Sequence, residues 1–148
     1  MIAAAVYLLD TNVVSELRRV RPHGAVMAWL RAVPERDLRL SAVTIGELQA
    51  GVEATRERDP AKAAEIEAWI DQVAIIYEVL AVDAAVYRRW ARLMHRRADR
   101  LAEDALIAAT ALEHGLTVVT RNVRDFVPFG TPTLDPFVPV AGGEAPRG

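Results

Sequence analysis

Cysteine is absent from the 148 residues, lysine occurs once, at Lys62, and serine twice, at Ser15 and Ser41. The first absence excludes a disulfide framework, a thiol nucleophile and any zinc site built on thiolates, and it is compatible with a reducing cytoplasm. Neither serine stands in a G-x-S-x-G elbow. No G-x-G-x-x-G and no G-K-[ST] occurs, so neither a dinucleotide fingerprint nor a P-loop is present. An aspartyl-phosphate enzyme needs a lysine beside the phosphoryl group, and Lys62 lies in a polar helical stretch ill suited to that task. Charge of either sign is not in excess: 18 bases against 20 acids leave −2, so no global field announces a polyanionic or basic partner. The opening apolar run, Ile2 to Leu9, has no basic flank. It is too short for a signal peptide, or for a membrane span that needs about 20 residues. The expectation is a soluble intracellular protein without a membrane partner.

What is present is apolar bulk, 52% of the chain, enough for one domain of this length to bury a sizeable core. The cations are arginine in 17 of 18 cases. A planar guanidinium suits phosphate or carboxylate, although a GC-rich genome gives the same bias. Ala5–Leu9 and Leu116–Thr120 are short, continuously apolar runs of the kind buried on both faces of a parallel sheet. Leu38–Ser41 and Glu78–Val82 are further strand candidates, and Pro132–Leu134 adds an edge. Helical periodicity falls on Val13–Arg18, His23–Val33, Ile45–Thr55, a stretch from Asp59-Pro60 to Val73, Asp83–Arg97, and an Ala-rich run from Glu103 to Glu113 that ends at Gly115. Strands alternating with helices predict a three-layer α/β/α domain over residues 1–140 with a mostly parallel sheet. A loose tail is expected over 141–148. Ligands of such sheets bind beyond the carboxyl ends of the strands.

Four carboxylates fall near that edge. Asp10 ends the first strand, Glu47 follows the second, Asp104 opens the Ala-rich helix and Asp125 follows the fourth strand. If the first and fourth strands are neighbours, these acids converge, and their repulsion calls for a cation. Oxygen donors without cysteine or clustered histidine suit a hard ion, Mg²⁺ or Mn²⁺. Such an ion activates water and offsets charge on a phosphodiester. Each acid also has a plainer reading: Asp10 as a turn or cap, Glu47 closing a T-x-x-E capping box with Thr44, Asp104 and Glu103 favouring a helix N-terminus, Asp125 closing a turn. The three histidines are scattered, and His114 suits a helix end.

Four stretches carry a resemblance: Leu8-Leu-Asp-Thr-Asn-Val-Val-Ser-Glu-Leu17, Leu40-Ser-Ala-Val-Thr-Ile-Gly-Glu-Leu48, Glu103-Asp-Ala-Leu-Ile-Ala-Ala-Thr-Ala111 and Gly115-Leu-Thr-Val-Val-Thr-Arg-Asn-Val-Arg-Asp-Phe126. In this order they resemble the signatures of the PIN-domain superfamily, most nearly the VapC-type toxins and their FitB-like branch. The resemblance implies a PIN fold, a Mg²⁺- or Mn²⁺-dependent endoribonuclease leaving 5′-phosphate and 3′-hydroxyl ends, and a homodimer. It also implies a VapB-like antitoxin through which alone operator DNA is met. Carried over by position, it makes Asp10, Glu47, Asp104 and Asp125 catalytic residues and metal ligands, Asp10 and Asp104 directly and Glu47 and Asp125 directly or through water. Thr11, Asn12, Thr120 and Asn122 match the polar neighbours that orient them, and Arg121 and Arg124 are candidates for RNA contacts or, equally, for surface salt bridges.

The dense basic stretch runs from Arg88 to Arg100. Helical spacing places Arg89, Arg92 and Arg96 on one face, a candidate phosphate-tracking group if it is not simply a solvated surface. Trp29, Trp69 and Trp90 recur with aliphatics at helical spacing and are assigned to the core or a dimer contact rather than to base stacking. The alternative to a ribonuclease is a non-catalytic module whose acids hold a metal or an Arg-rich partner, regulating through an antitoxin–DNA complex.

Overall fold

The computed structural model describes residues 5–139; the tail expected over 141–148 lies outside the described residues. Five short strands, β1 (Tyr7–Leu9), β2 (Leu38–Ser41), β3 (Glu78–Leu80), β4 (Thr117–Val119) and β5 (Thr133–Leu134), form one sheet in the order β3-β2-β1-β4-β5. Each neighbouring pair is parallel, with Tyr7 opposite both Leu38 and Thr117. The helices are α1 (Thr11–Val14), α2 (Gly24–Ala32), α3 (Ala42–Arg56), α4 (Pro60–Ile76), α5 (Ala84–Met94), α6 (Ala102–His114) and α7 (Val123–Phe126).

Successive side chains of a strand point to opposite faces, and the central strands use both. Leu9, Leu38, Leu40 and Val119 join Val13, Val14, Val26, Trp29 and Val73 in one core. Leu8 and Val118 join Ala105, Ile107, Ala108, Ala111 and Phe126 in the other. Two apolar layers on one sheet explain why these strands show no polar alternation. The Ala-rich α6 lies in the second layer with Ala105, Ala108, Ala109 and Ala111 fully buried. It stops at Gly115, whose φ of +68° is open to glycine at little cost. The tryptophans are partly or wholly buried as expected, and the Trp90 indole donates to the Ala102 carbonyl at 2.9 Å.

Several boundaries differ from those read in the sequence. Val13–Arg18 is not one helix: α1 passes into a 3-10 turn at Ser15–Arg18. The helix after β2 starts at Ala42, three residues early, because the buried Ser41 hydroxyl accepts from the Val43 amide at 3.0 Å. Thr44 is therefore inside the helix, and the Thr44–Glu47 capping box does not form. Asp59 and Pro60 begin α4 as expected, but it continues past Val73 to Ile76. The helix capped by Asp83 ends at Met94, not Arg97, since His95 turns extended and Arg96 is left-handed at φ 61°. Arg97 closes that end, donating to the Leu93 and Pro128 carbonyls at 2.8 and 2.9 Å. No helix among the described residues is long and apolar enough to cross a membrane.

Leu8 is inaccessible to solvent and packs on α6 through the central strand. Leu8→Ala is expected to lower the unfolding free energy by about 2–5 kcal/mol in urea titration, because neighbouring strands and the helix cannot collapse into the space. A loss below about 1 kcal/mol would show that this layer repacks freely, contrary to its close packing.

Candidate active site

The carboxyl edge of the sheet is organised by Asp10, the residue after β1, which is only 5% exposed. Its amide donates to the Val119 carbonyl at 2.9 Å and so extends the β1–β4 ladder by one rung. Its Oδ1 accepts from the Thr11 amide at 2.8 Å, and its Oδ2 accepts from the Thr120 hydroxyl at 2.8 Å and the Asn12 amide group at 3.3 Å. The cap reading of Asp10 is thus correct as local structure. It does not account for the bonds from Asn12 and Thr120.

The polar neighbours interlock. Asn12 donates to the Thr120 hydroxyl at 3.3 Å and accepts from the Arg121 amide at 3.1 Å, and the Asn122 amide donates to the Thr120 hydroxyl at 3.0 Å. Thr11 bonds to the buried Thr44 hydroxyl at 3.2 Å, tying α1 to α3. Thr44 is thus joined through Thr11 to the Asp10 neighbourhood, a contact that its sequence context disguised as a cap.

Each of the other acids reaches this edge on its own element. Glu47 lies on α3, Asp104 in the first turn of α6, and Asp125 on α7, where its amide closes a turn to the Asn122 carbonyl at 3.0 Å. Burial raises the Asp10 pKa; the bonds from Thr120, Thr11 and Asn12 oppose that rise, and repulsion by Asp125 adds to it. Burial also lifts Glu47 to about 7, opposed by bonding to Thr11 and reinforced by repulsion from Glu103 and Asp10. Asp104 rises to about 6 through burial and the charges of Asp10, Asp125 and Glu103. Asp10 is thus within electrostatic reach of Glu47, Asp104 and Asp125, and Glu103, read in the sequence as a helix-terminus charge, joins Glu47 and Asp104. Its signal was its position beside Asp104, one residue nearer the helix start.

Donor chemistry decides what this pocket can hold. Its donors are carboxylate, hydroxyl and amide oxygens, and burial with nearby negative charge raises Asp10, Glu47 and Asp104, a strain that a divalent cation would relieve. Among the described residues no three acids or histidines are packed tightly enough to enclose one ion. A groove of about 370 Å³ opens beside Glu47 and Glu103, with Gly46 and Tyr87 also in its lining. A larger hollow of about 530 Å³, bordered by Arg39, His114 and Thr117, lies at the start of the strands, away from these acids.

The arginines divide. Arg121 and Arg124 are exposed beside the pocket. Arg89 is paired with Glu113 at 2.6 Å, bracing α5 on α6. Arg92 is exposed, and Arg96 lies beyond the helix, so the common helical face expected for Arg89, Arg92 and Arg96 does not exist.

Comparison with known proteins adds to this geometry. The family model for the PIN domain matches residues 7–127. The chain is 35% identical to Toxin FitB of Neisseria gonorrhoeae over 144 residues, covering 88% of this chain and 97% of that protein. It is also 35% identical to VapC ribonuclease Y4jK of Sinorhizobium fredii over 138 residues, covering 89% and 98%. The crystal structure of FitAcB from Neisseria gonorrhoeae superposes with a TM-score of 0.79 at 32% identity, covering 89% of this chain and 99% of that one.

The raised acids set a pH dependence. Glu47 and Asp104 move from ordinary values of 4.5 and 3.8 to about 7 and about 6 in the folded chain. Between those limits the folded state binds more protons than the unfolded one, so stability falls as pH rises through the window. Metal-free protein is expected to melt at a higher temperature at pH 5.5 than at pH 7.5, and Asp104→Asn to shrink the difference. An undiminished difference in that variant would remove Asp104 from the cause.

Proposed function

Because the chain belongs to the PIN-domain family, we propose that it is the ribonuclease toxin of a toxin–antitoxin pair, cleaving RNA at the carboxyl edge of its sheet. The observation that carries this reading is the Asp10 carboxylate, buried, bonded by Thr11, Asn12 and Thr120, and faced by further acids from three other elements. Asp10 and Asp104 are the proposed direct ligands of Mg²⁺ or Mn²⁺, with Glu47 and Asp125 binding directly or through water. When bound, the ion supplies Lewis acidity and positive charge against the phosphate.

The chain's own residues fix the geometry for that chemistry. Thr120 and Asn12 hold Asp10 Oδ2, and the Thr11 amide holds Oδ1, so the carboxylate cannot swing as substrate arrives. A 3-10 turn at Asp99–Leu101 leads directly into α6, whose Ala102 amide donates to the Asp99 carbonyl, and the positive end of the helix dipole lies beside Asp104. Hydrolysis adds one water across the P–O3′ bond, leaving a 5′-phosphate and a 3′-hydroxyl.

The same reading gives the chain a VapB-like antitoxin, contact with operator DNA only through it, a homodimeric state and a place in the cytoplasm. Exposed Ile75 and Ile76, adjacent at the end of α4, support a protein partner, since apolar side chains grouped at the surface favour being covered.

Purified protein is expected to cut single-stranded RNA with Mg²⁺, to stop in EDTA, and to lose about 100-fold or more of its rate on Asp10→Asn, the scale of removing a preorganised charge from a reacting centre. Equal cleavage by folded Asp10→Asn and wild type would overturn the mechanism. Metal binding without cleavage would favour a non-catalytic module.

A further inference from the structure

Arg121 follows Thr120 directly, and its amide is part of the Asp10 network through Asn12. Its guanidinium does not turn towards the acids. The Cζ atom stands 3.8 Å over the centre of the Phe137 ring, and among the described residues no carboxylate pairs with it within 4.0 Å. What holds this exposed arginine is the aromatic ring on which its guanidinium lies.

The ring is itself fixed. Phe137 is 9% exposed and belongs to the core that includes Leu9 and Val119. Its amide donates to Asp135 Oδ1 at 2.8 Å, which sets the chain leaving β5. His23 meets the ring edge-on at 5.1 Å, and the His23 amide donates at 3.0 Å to Glu16, a carboxylate only 2% exposed. Phe137 is thus a plate anchored in the core on one side and braced on its edge by His23. A guanidinium over an aromatic face keeps its charge and its outward N–H donors, while the stacking restricts its orientation. Lysine in the same place would offer neither the flat stacking surface nor the paired donors.

We propose that Arg121, set on Phe137, is the residue that grips the RNA backbone next to the cleaved bond, and that Phe137 is a positioning residue acting through it. The proposal rests on the ribonuclease reading above. It answers an electrostatic difficulty of that site, since a pocket rich in carboxylates repels a polyanion at its rim even when its centre is offset by metal. One fixed cation joined by a single peptide link to the Asp10 network gives the phosphate a preset landing point. Neither Phe137 nor His23 carried a functional signal in the sequence, because both lie outside the four matching stretches.

The test compares wild type, Arg121→Gln, Arg121→Lys, Phe137→Leu and a remote control, Arg58→Gln, which lies exposed between α3 and α4. Each is made in the active chain for kinetics and in the Asp10→Asn chain for binding of a fluorescent single-stranded RNA across a salt series, after melting curves confirm folding. Arg121→Gln is expected to weaken binding about 10-fold and to make the slope of log K against log salt shallower by about 0.7, the loss of one phosphate contact to a single strand. Arg121→Lys and Phe137→Leu should keep the wild-type slope, because the charge remains, yet raise KM several-fold. Arg58→Gln should change neither. Unchanged affinity and slope in folded Arg121→Gln, with wild type cutting RNA, would overturn this inference alone. Wild type that neither binds nor cuts RNA would overturn the ribonuclease reading, and this inference with it.

Discussion

Everything at the carboxyl edge of this sheet depends on the burial of one carboxylate. Asp10 is kept from solvent where two apolar layers meet, a position whose cost is tolerable only because donors occupy both of its oxygens. Those donors come from opposite ends of the sequence, Thr11 and Asn12 beside it and Thr120 some 110 positions away. The bond that satisfies the charge is therefore also a tie between β1 and β4. Thr44, Asn122 and the Arg121 backbone are placed by bonds to these same neighbours.

The layers of the fold were plain in the sequence because the signals are local and strong. Ala5–Leu9 and Leu116–Thr120 could hardly be anything but doubly buried strands, and Gly115 and Asp59-Pro60 mark helix ends by backbone chemistry alone. The acids were legible as a group once the strand order was assumed, and resemblance named the same four. What escaped was set by tertiary contact. The Thr44–Glu47 spacing has the form of a capping box, but Ser41, buried at the end of β2, captures the helix start earlier. Arg96 continues a helical charge pattern, yet the chain leaves the helix at His95, where Arg97 finds the Pro128 carbonyl far along the sequence. No periodicity within one element could reveal that the Phe137 ring would come under Arg121.

Charge in this molecule is distributed by function rather than by sum. A total near neutrality conceals acids gathered at one edge and a few arginines that brace the fold: Arg39 on Glu78, Arg56 between Glu53 and Glu67, Arg89 on Glu113. Exposed pairs of this kind contribute little to stability individually. Arg121, at the acidic edge, is held by the Phe137 ring rather than by a carboxylate.

The order of strands has a consequence for the life of the chain before it is finished. β1 is made first and β4 after more than a hundred further residues, yet they are the central neighbours of the sheet, Leu8 against Val118 and Leu9 against Val119. While the ribosome is still adding α6, the nascent chain holds Asp10 with neither Thr120 to bond it nor Asp125 to face it. Closing so long a loop comes late in folding and is slow relative to local helix formation. A growing chain thus carries acids but no assembled pocket, and the molecule acquires its chemistry only when β4 and the residues that follow it join the sheet.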